Sequence, residues 1–410
     1  MSLTSEMTAL ADAIREKSKK TEKMNISAMT AAVQSIQTGS GGGGSSFVEP
    51  IEKDVNFYDY DGVRLYSYTT DEAAALTELP NPQIEHNGLT FQEWNWTLDE
   101  IKTAGVADVG ANYITTDGKT RLYITIESIF RPDITLNLRQ DSANGATIDW
   151  GDGSDTEQSE STGNVSFSHT YANTGDYVIS ISVTSGHIYL GHTTGAQVIS
   201  AAGQSEEVDN LYSKEILAVE IGSCVSGIST YSLSYCASLK SISISKDIMD
   251  IGSYMCRDCT RLNAAVIPHG VMNMSMAVMF NSGAKVVLIG GQASAYGISQ
   301  YYNCKRLMRA ICSPRCTIPP QNVFYGCISL IHAVFTGPVK TINSQAFYNC
   351  TALKRIDFSR CTAVPSLSST DAFKNCPADM EIIVPASLLD EWKTATNWSV
   401  YADHIKAKEA

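Results

Sequence analysis

The stretch Ala346-Phe-Tyr-Asn-Cys-Thr-Ala-Leu-Lys-Arg-Ile-Asp-Phe358 decides the fold, because its pattern returns throughout the C-terminal half of the chain. A cysteine, followed in most copies by a leucine three residues later, recurs at intervals of about 23 residues, which is typical of a solenoid. These cysteine positions are Cys236, Cys259, Cys304, Cys327, Cys350 and Cys376, with Ser282 at the one vacant position. One solenoid turn cannot bury its own apolar face, so neighbouring turns complete the core by stacking. We therefore expect the cysteines to form a buried, reduced column.

The repeats resemble the BspA-like leucine-rich repeat family, whose turns read A-F-x-N-C-x-x-L-x-x-I-x-I. The resemblance implies a leucine-rich-repeat solenoid over residues 221–380 and a C-terminal cap over residues 381–410. The third repeat departs most from the pattern, because Ser282 replaces its cysteine and Lys285 stands where leucine is expected. We predict that this repeat packs least regularly.

The segment before the repeats alternates apolar and polar residues between turn signals, which predicts a β-sandwich over residues 120–185. Asp149-Trp-Gly-Asp-Gly-Ser154 and His169-Thr-Tyr-Ala-Asn-Thr-Gly-Asp-Tyr177 are similar to the paired signatures of PKD-like domains, which generally act as spacers or binding modules. Residues 186–220 are interpreted as a connector. Residues 47–119 are interpreted as a small β-rich module that resembles internalin B-repeats.

The apolar periodicity of residues 1–38 predicts a helical hairpin for anchoring or oligomerisation. The composition of residues 39–46 predicts a Gly/Ser linker. The apolar seams of the two helices are Leu3, Met7, Leu10, Ile14, Ile26, Met29, Val33 and Ile36. Each seam is short, so the hairpin must dock on another protein or associate with copies of itself. The predicted fold class is therefore a multidomain, mainly β protein with an N-terminal helical hairpin, a β-rich module, a PKD-like β-sandwich and a repeat solenoid.

The charge is divided unevenly along the chain, whose net charge is −13. Residues 224–380 contain 14 Lys and Arg against 6 Asp and no Glu, a net charge of +8. A basic repeat region on an acidic body favours an anionic target. The alternative is that the acidic residues only keep the body soluble.

Two sets of repeat positions are candidate ligand-binding residues. Two residues before the cysteine position, Phe280, Tyr302, Tyr325 and Tyr348 follow one another, and stacked turns would bring these rings to about 4.8 Å from each other. Five residues after it, Arg309, His332 and Arg355 would offer donors to a phosphate or carboxylate. The alternatives are that the rings only tile each turn and that the basic side chains are an ordinary solvated face.

Other functional classes lack support in the sequence. No nucleophile, zinc-protease or P-loop motif is present, so we expect no enzyme activity, no cofactor and no metal. Cys256-x-x-Cys259 has no second pair at ligand spacing and is interpreted as structural. No nucleic-acid-binding motif and no long apolar segment is found, so neither nucleic acid nor membrane insertion is expected.

Residues 3–18 and 29–36 look like the start of tail-associated proteins from phages that infect Gram-positive bacteria, and so do residues 55–62, running to residues 116–124. That resemblance implies a receptor-binding protein of a phage tail or phage-tail-like particle, assembled in the host cytoplasm and extracellular when acting. Residues 1–38 would dock to a tail or baseplate protein, and the repeats would bind a host surface glycan or protein. Trimers are common among such fibres, yet no long coiled coil enforces one here. The alternatives are a bacterial BspA-like surface adhesin and a purely structural tail component.

Overall fold

The computed structural model describes residues 52–82, 84–127, 133–143, 145–200, 215–271, 273–290 and 298–409. Within these ranges the protein is mainly β, with sheets in its N-terminal part and a β-solenoid in its C-terminal half. The predicted helical hairpin (1–38), the linker (39–46) and part of the predicted connector lie outside the described residues. No helix in the described ranges is both long and apolar enough to cross a membrane.

The first unit, residues 52–115, is called the module here. Its elements are β1 (Val55–Tyr58), β2 (Arg64–Tyr68), α1 (Thr70–Ala74), β3 (Leu89–Trp94), α2 (Leu98–Ala104) and β4 (Ala107–Thr115). The strands form one sheet in the order β2-β1-β4-β3, in which β1 and β4 are parallel. Each helix begins with a reciprocal capping box, Thr69 with Glu72 and Thr97 with Glu100, which satisfies backbone N–H groups at its start.

The second unit is a β-sandwich. Its strands are β5 (Thr120–Ile126), β6 (Asp133–Gln140), β7 (Ala146–Asp149), β8 (Glu157–Gln158), β9 (Gly163–Thr170), β10 (Gly175–Val183), β11 (Ile188–Leu190) and β12 (Ile199–Ser200). One sheet contains β5, β10, β7 and β8, and the other contains β12, β6, β11 and β9. Trp150 is fully buried between them, and Tyr171 donates its hydroxyl hydrogen to the Trp150 carbonyl at 2.9 Å.

The solenoid extends both sheets of the sandwich. Its strands are β13 (Ile216–Glu220), β14 (Val225–Ile228), β15 (Ser241–Ser243), β16 (Asp250–Ile251), β17 (Ala264–Ile267), β18 (Asn273–Met274), β19 (Val286–Ile289), β20 (Arg309–Cys312), β21 (His332–Phe335), β22 (Thr341–Ile342), β23 (Arg355–Asp357), β24 (Ser366–Leu367), β25 (Glu381–Val384) and β26 (Ile405–Ala407). Strand β13 pairs with β5, and β14 pairs with β11. A single hydrophobic core consequently runs from Leu122 to Ile405.

The C-terminal segment closes the other end of this core. Helix α3 (Leu389–Thr394) and β26 place Trp392 and Trp398 in fully buried positions against Phe358. Trp398 also donates its indole hydrogen to the Pro365 carbonyl at 2.7 Å. Both ends of the parallel stack are therefore covered, as an elongated repeat core requires in water.

The predicted cysteine column is confirmed. The cysteines are free thiols, and Cys236, Cys259, Cys304, Cys327 and Cys350 are fully buried, while Cys376 at the last repeat is partly buried. From Cys259 onward, each of these thiols donates to a backbone carbonyl of the preceding turn, three residues before its cysteine position, at 2.8–3.2 Å. The repeat therefore uses cysteine as a small hydrophobic residue that also satisfies a buried carbonyl group.

Six of the turns that the structure describes also contain two left-handed residues that sequence analysis did not identify, and the turn at Cys376 contains only the second of them. The first lies five residues before the cysteine position, at Tyr231, Tyr254, Ala277, Ser299, Asn322 and Gln345. The second lies directly before the cysteine position, at Tyr235, Asp258, Asn281, Asn303, Gly326, Asn349 and Asn375. Asparagine and glycine tolerate this conformation better than other residues, which explains the Asn-Cys pair of the repeat.

The third repeat is one residue shorter than its neighbours, and this corrects the interpretation of Lys285. The Lys285 N–H donates to the Asn263 carbonyl at 2.8 Å, and Val286 is in register with Ala264. Ala284 is therefore the residue that fills the inward leucine site, and it is fully buried, whereas Lys285 is exposed. Because the repeat is one residue shorter, the backbone keeps its strand pairing and the charged side chain of Lys285 stays in water.

The module lies against the outer face of the solenoid strands. The Asn95 side-chain amide donates to the carbonyls of Ile267 and Leu288 at 2.9 and 3.0 Å, and the Trp96 indole donates to the Ile289 carbonyl at 2.7 Å. At Gly110, a Cβ atom would lie 2.6 Å from Val266 Cγ1, so only glycine permits this close approach. The module and the solenoid therefore share a buried, hydrogen-bonded contact.

Candidate functional site

Four aromatic rings form a continuous stack along one side of the solenoid. The ring centroids of Phe280 and Tyr302 are 4.8 Å apart, those of Tyr302 and Tyr325 are 4.6 Å apart, and those of Tyr325 and Tyr348 are 5.0 Å apart. Their planes are parallel to within 2°. The stacked geometry expected from the repeat spacing is thus present, and we call these four residues the aromatic ladder.

The left-handed residues directly before the cysteine position hold the ladder in register. Each directs its N–H to the carbonyl of the ladder position in the next turn, for example Asn281 to Tyr302, Asn303 to Tyr325 and Gly326 to Tyr348, at 2.7–2.8 Å. These bonds set the distance between successive backbones, and the rings stack at the same distance. The ladder is consequently rigid before any ligand is present.

A second stack lies beneath it, one residue earlier in each turn, and was missed by sequence reasoning. Tyr301, Phe324, Phe347 and Phe373 are buried and follow one another at 5.3–5.4 Å. The alanine-phenylalanine pair of the repeat was the available signal, because its phenylalanine recurs at a fixed distance before the cysteine. This inner stack supports the outer ladder from the core side.

Cations stand at both ends of the ladder. The Arg257 guanidinium lies 5.4 Å from the centroid of Phe280, and it also lies over Tyr235 and Tyr254 at 5.2 and 5.5 Å. At the other end the Lys374 ammonium lies 5.8 Å from the centroid of Tyr348. Arg257 also pairs with Asp258 at 3.1 Å and Lys374 with Asp371 at 3.5 Å, so carboxylates and ring faces together hold the two cations over the ends of the stack.

The exposed parts of the ladder are its ring edges and hydroxyl groups. All four rings are half-buried, because each face is covered by the ring of the next turn. Burial raises the pKa of the Tyr302 hydroxyl, with a further contribution from Tyr325, so the hydroxyl is a neutral donor at physiological pH. The ladder therefore offers a ridge of phenol tips and leaves no open ring face.

The strand residues predicted to bind anions lie on a different segment of each turn from the aromatic ladder. The structure places them in two different environments. Arg309 is an internal residue: its Nε donates to Asp108 at 2.9 Å, its Nη1 to Glu52 at 3.1 Å, and its Nη2 to the Asp54 carbonyl at 3.0 Å. All three guanidinium nitrogens are occupied by the module. As placed here, Arg309 joins two parts of the chain, and its charge is paired with Asp108 and Glu52.

His332 and Arg355 lie beyond the edge of the module. Strands β20, β21 and β23 place Arg309, His332 and Arg355 in direct register. The Arg355 guanidinium is 46% exposed and makes one long contact, 3.5 Å, with Asp357. Burial and then the neighbouring Arg309 lower the pKa of His332, so its ring is neutral at pH 7. These two side chains line an opening between the module and the solenoid.

The Cys256-x-x-Cys259 pair is fully buried. The pKa of Cys256 lies well above its ordinary value because of a hydrogen bond with Cys259 and burial, and burial raises the pKa of Cys259. A thiol that is held protonated is a poor nucleophile and a poor metal ligand. Within the described ranges no group of three or more His, Cys, Asp or Glu residues is arranged to hold a metal ion.

The repeats match a known family model, and two solved structures are similar to part of the chain. The family model described as the BspA type leucine rich repeat region matches residues 209–286 and 285–392 in six copies. A leucine-rich repeat protein from Bacteroides ovatus is 16% identical, with 49% of this chain and 57% of that chain covered and a TM-score of 0.33. The leucine-rich repeat protein of T. pallidum is 14% identical, with 47% of this chain and 83% of that chain covered and a TM-score of 0.31. No curated protein matches the chain.

Proposed function

We propose that this protein, whose C-terminal half consists of BspA-type leucine-rich repeats, is a non-enzymatic adhesion protein that binds a cell-surface protein through its aromatic ladder. Leucine-rich repeat proteins of this kind are typically binding proteins rather than enzymes. The observation that carries the proposal is the stack of Phe280, Tyr302, Tyr325 and Tyr348 on the solenoid surface. It is a surface feature that core packing alone does not require.

The form of the ladder favours a protein partner over a sugar. Sugars bind aromatic residues through open ring faces, and here the faces are covered by neighbouring rings. Tyrosine edges and hydroxyl groups are frequent at the centres of protein interfaces, where they combine apolar contact with hydrogen bonding. Because the stack already fixes the rings, binding costs little side-chain entropy.

The basic charge of the repeats supports the same proposal. Residues 224–380 carry a net charge of +8, and Arg257 and Lys374 bracket the ladder. An acidic surface on the partner would be attracted over a distance of about one Debye length, so association should slow as salt increases.

The test is binding of the intact chain to a panel of bacterial and animal cells, before and after protease treatment of the cells. The triple variant Tyr302→Ser, Tyr325→Ser, Tyr348→Ser removes most of the ladder. The matched control, Lys305→Ser, Ile328→Ser, Thr351→Ser, changes exposed residues of the same three turns, one residue after the cysteine position. Circular dichroism and thermal unfolding check that both variants remain folded.

We expect the ladder variant to lose at least tenfold in affinity, since interface tyrosines commonly contribute about 2 kcal/mol or more each. The control variant should bind within about twofold of the parent, and protease treatment of the cells should abolish binding. Equal binding by the folded ladder variant, or unchanged binding to protease-treated cells, would refute the proposal.

The repeat type favours a bacterial surface adhesin as the biological setting. The phage-tail setting is the second candidate, and it rests on the resemblance of residues 3–18, 29–36 and 55–62 to tail-associated proteins. In that setting residues 1–38 dock to a tail or baseplate protein, the protein is part of the virion, and it forms trimers. Labelled antibody on isolated phage particles or on bacterial cells distinguishes the two, and light scattering measures the copy number.

A further inference from the structure

A cavity of about 360 Å³ opens between the module and the solenoid, on a different segment of the repeats from the aromatic ladder. It lies where the module stops covering the strands. Its lining residues from the module are Asp54, Thr70, Ala104, Gly105 and Val106. From the solenoid and the C-terminal segment they are Arg309, His332, Val334, Thr336, Arg355, Asp357, Ser359, Arg360 and Lys408.

The register of the strands builds the floor of this cavity. Side chains alternate across a strand, so Arg309, His332 and Arg355 point to the same face, and the next outward position holds Val334 and Asp357. The opposite set, which includes Ala333 and Ile356, is buried in the solenoid core. The floor is therefore rigid, because the parallel ladder fixes the spacing of its polar side chains.

The negative groups of the cavity are already occupied. Asp54 accepts hydrogen bonds from the backbone N–H and the hydroxyl of Thr70 at 3.0 and 3.2 Å. Asp357 accepts from the Ser359 N–H at 2.8 Å. Arg309 is neutralised by the module, as described above. Asp54 and Asp357 keep their negative charges, so the three further cations of the lining, Arg355, Arg360 and Lys408, leave the cavity with an excess of one positive charge.

Those cations are incompletely paired. Arg355 makes only the 3.5 Å contact with Asp357, and Arg360 uses one nitrogen to bond the Ala104 carbonyl at 2.7 Å. Lys408 has no side-chain partner among the described residues, and neither does His332. The cavity thus has a rigid floor, room for a small ligand, and a lining in which Arg355, Arg360, Lys408 and His332 keep donors that no protein acceptor fully uses.

We propose that this cavity binds an oxyanion, a carboxylate or a phosphate, carried by an acidic surface glycan. Guanidinium and ammonium groups form their strongest hydrogen bonds with such groups. Thr70 and Thr336 donate their hydroxyl hydrogens to the carbonyls of Gly105 and Cys312 at 2.8 Å, so their oxygens remain as acceptors for the neutral hydroxyls of a sugar. The site is independent of the ladder, so one protein would hold a protein partner and an acidic glycan at two places.

Binding of an oxyanion should strengthen as the pH falls. Burial and the charges of Arg309 and Arg355 lower the pKa of His332, and Glu52 opposes them. Asp54, Asp357, Arg360 and Lys408 also face the cavity. A bound anion would offset the cations around His332 and raise its pKa, so uptake of the anion is coupled to uptake of a proton.

The test is isothermal titration calorimetry of the full chain with glucuronate, glycerol 3-phosphate and glucose. Glucuronate carries a carboxylate and glycerol 3-phosphate carries a phosphate, so they represent the two sources of the oxyanion. Glucose is the uncharged control. The variants are Arg355→Gln and Lys408→Gln. Lys340→Gln is the matched control, because Lys340 is an exposed solenoid lysine outside the cavity.

We expect at least one of the two anions to bind more tightly than glucose, and Arg355→Gln to weaken that binding by about tenfold or more. Lys340→Gln should change the affinity by less than about twofold, and ladder-dependent cell binding should be unaffected by either change. Equal binding of glucose, no binding of either anion up to roughly 10 mM, or equal losses in Arg355→Gln and Lys340→Gln would overturn the proposal. Failure of ladder binding with an intact anion site would overturn only the proposed function.

Discussion

Replacement of Arg309 by leucine should detach the module from the solenoid. The Arg309 side chain is 16% exposed and that of Asp108 is 5% exposed, so the ion pair between them is largely removed from water. Without the guanidinium, Asp108 keeps one side-chain donor, the Asn56 amide at 3.0 Å. Removal of one partner from a buried pair typically costs about 3–5 kcal/mol, because the remaining charge is left uncompensated.

Hydrogen exchange measured by mass spectrometry gives the appropriate readout, since a chain with several units does not unfold in one step. We expect amides of β1 and β4 in Arg309→Leu to exchange about a hundred- to several-thousand-fold faster, which is the same free energy expressed as a ratio. Amides of the sandwich strands β5 and β10 are the internal reference and should keep their protection.

The double variant Arg309→Leu, Asp108→Asn separates charge from packing. Burial already raises the pKa of Asp108, and loss of Arg309 raises it further, so the cost should shrink as the pH falls and the carboxyl group takes up a proton. The double variant should recover part of the lost protection at pH 7. Module protection that is unchanged in Arg309→Leu, or that fails to recover in the double variant, would refute the reasoning.

The remaining predictions concern the repeat, the cap and the module contact. Asn349→Val should lower the opening free energy of the strand amides of β21 and β23 by about 1–2 kcal/mol in the same hydrogen-exchange assay, because a β-branched residue is strained at φ +61°, whereas Asn349→Gly should be nearly neutral. Trp398→Ala should cost about 3–5 kcal/mol in that assay, since it uncovers the end of the core. The hydrogen bond that His269 donates to Glu100 raises the pKa of His269, so this contact should stabilise the module fully below pH 6.5 and weaken as the pH rises through the raised pKa. Exchange of module amides between pH 6 and 8 measures this, and His269→Gln should remove that part of the pH dependence.

The solenoid was predictable because its signal is periodic. Residues of a buried column must be of similar size and polarity at every turn. The recurrence of Cys304, Cys327 and Cys350 therefore indicates both the repeat and its inward face. The same logic applies to the ladder, since residues in equivalent positions of stacked turns must lie one strand spacing apart. The shortened third repeat was misread because sequence spacing alone cannot say which side of Ser282 lost the residue.

The covering of the solenoid by the module was not predictable from the same reasoning. Arg309 and Asp108 are 201 residues apart, and nothing local to either indicates the other. On the sequence, Arg309 is one member of a basic strand column with His332 and Arg355. The position of the module separates these three residues. Arg309 pairs with a carboxylate of the module, whereas His332 and Arg355 line the cavity.

The position of the module also explains why the two proposed sites are where they are. The outward residues of β17, β19 and β20 lie under the module, and there they are either apolar, such as Val266, Leu288 and Ile311, or paired with the module, as Arg309 is. Where the cover ends, at β21 and β23, the outward residues become His332 and Arg355. On the turn side of the repeats the exposed positions hold the aromatic ladder, whereas on the strand side they hold the apolar residues that contact the module. A change from apolar to basic at the edge of the cover is expected if water or an anion, and not protein, meets the strands beyond it.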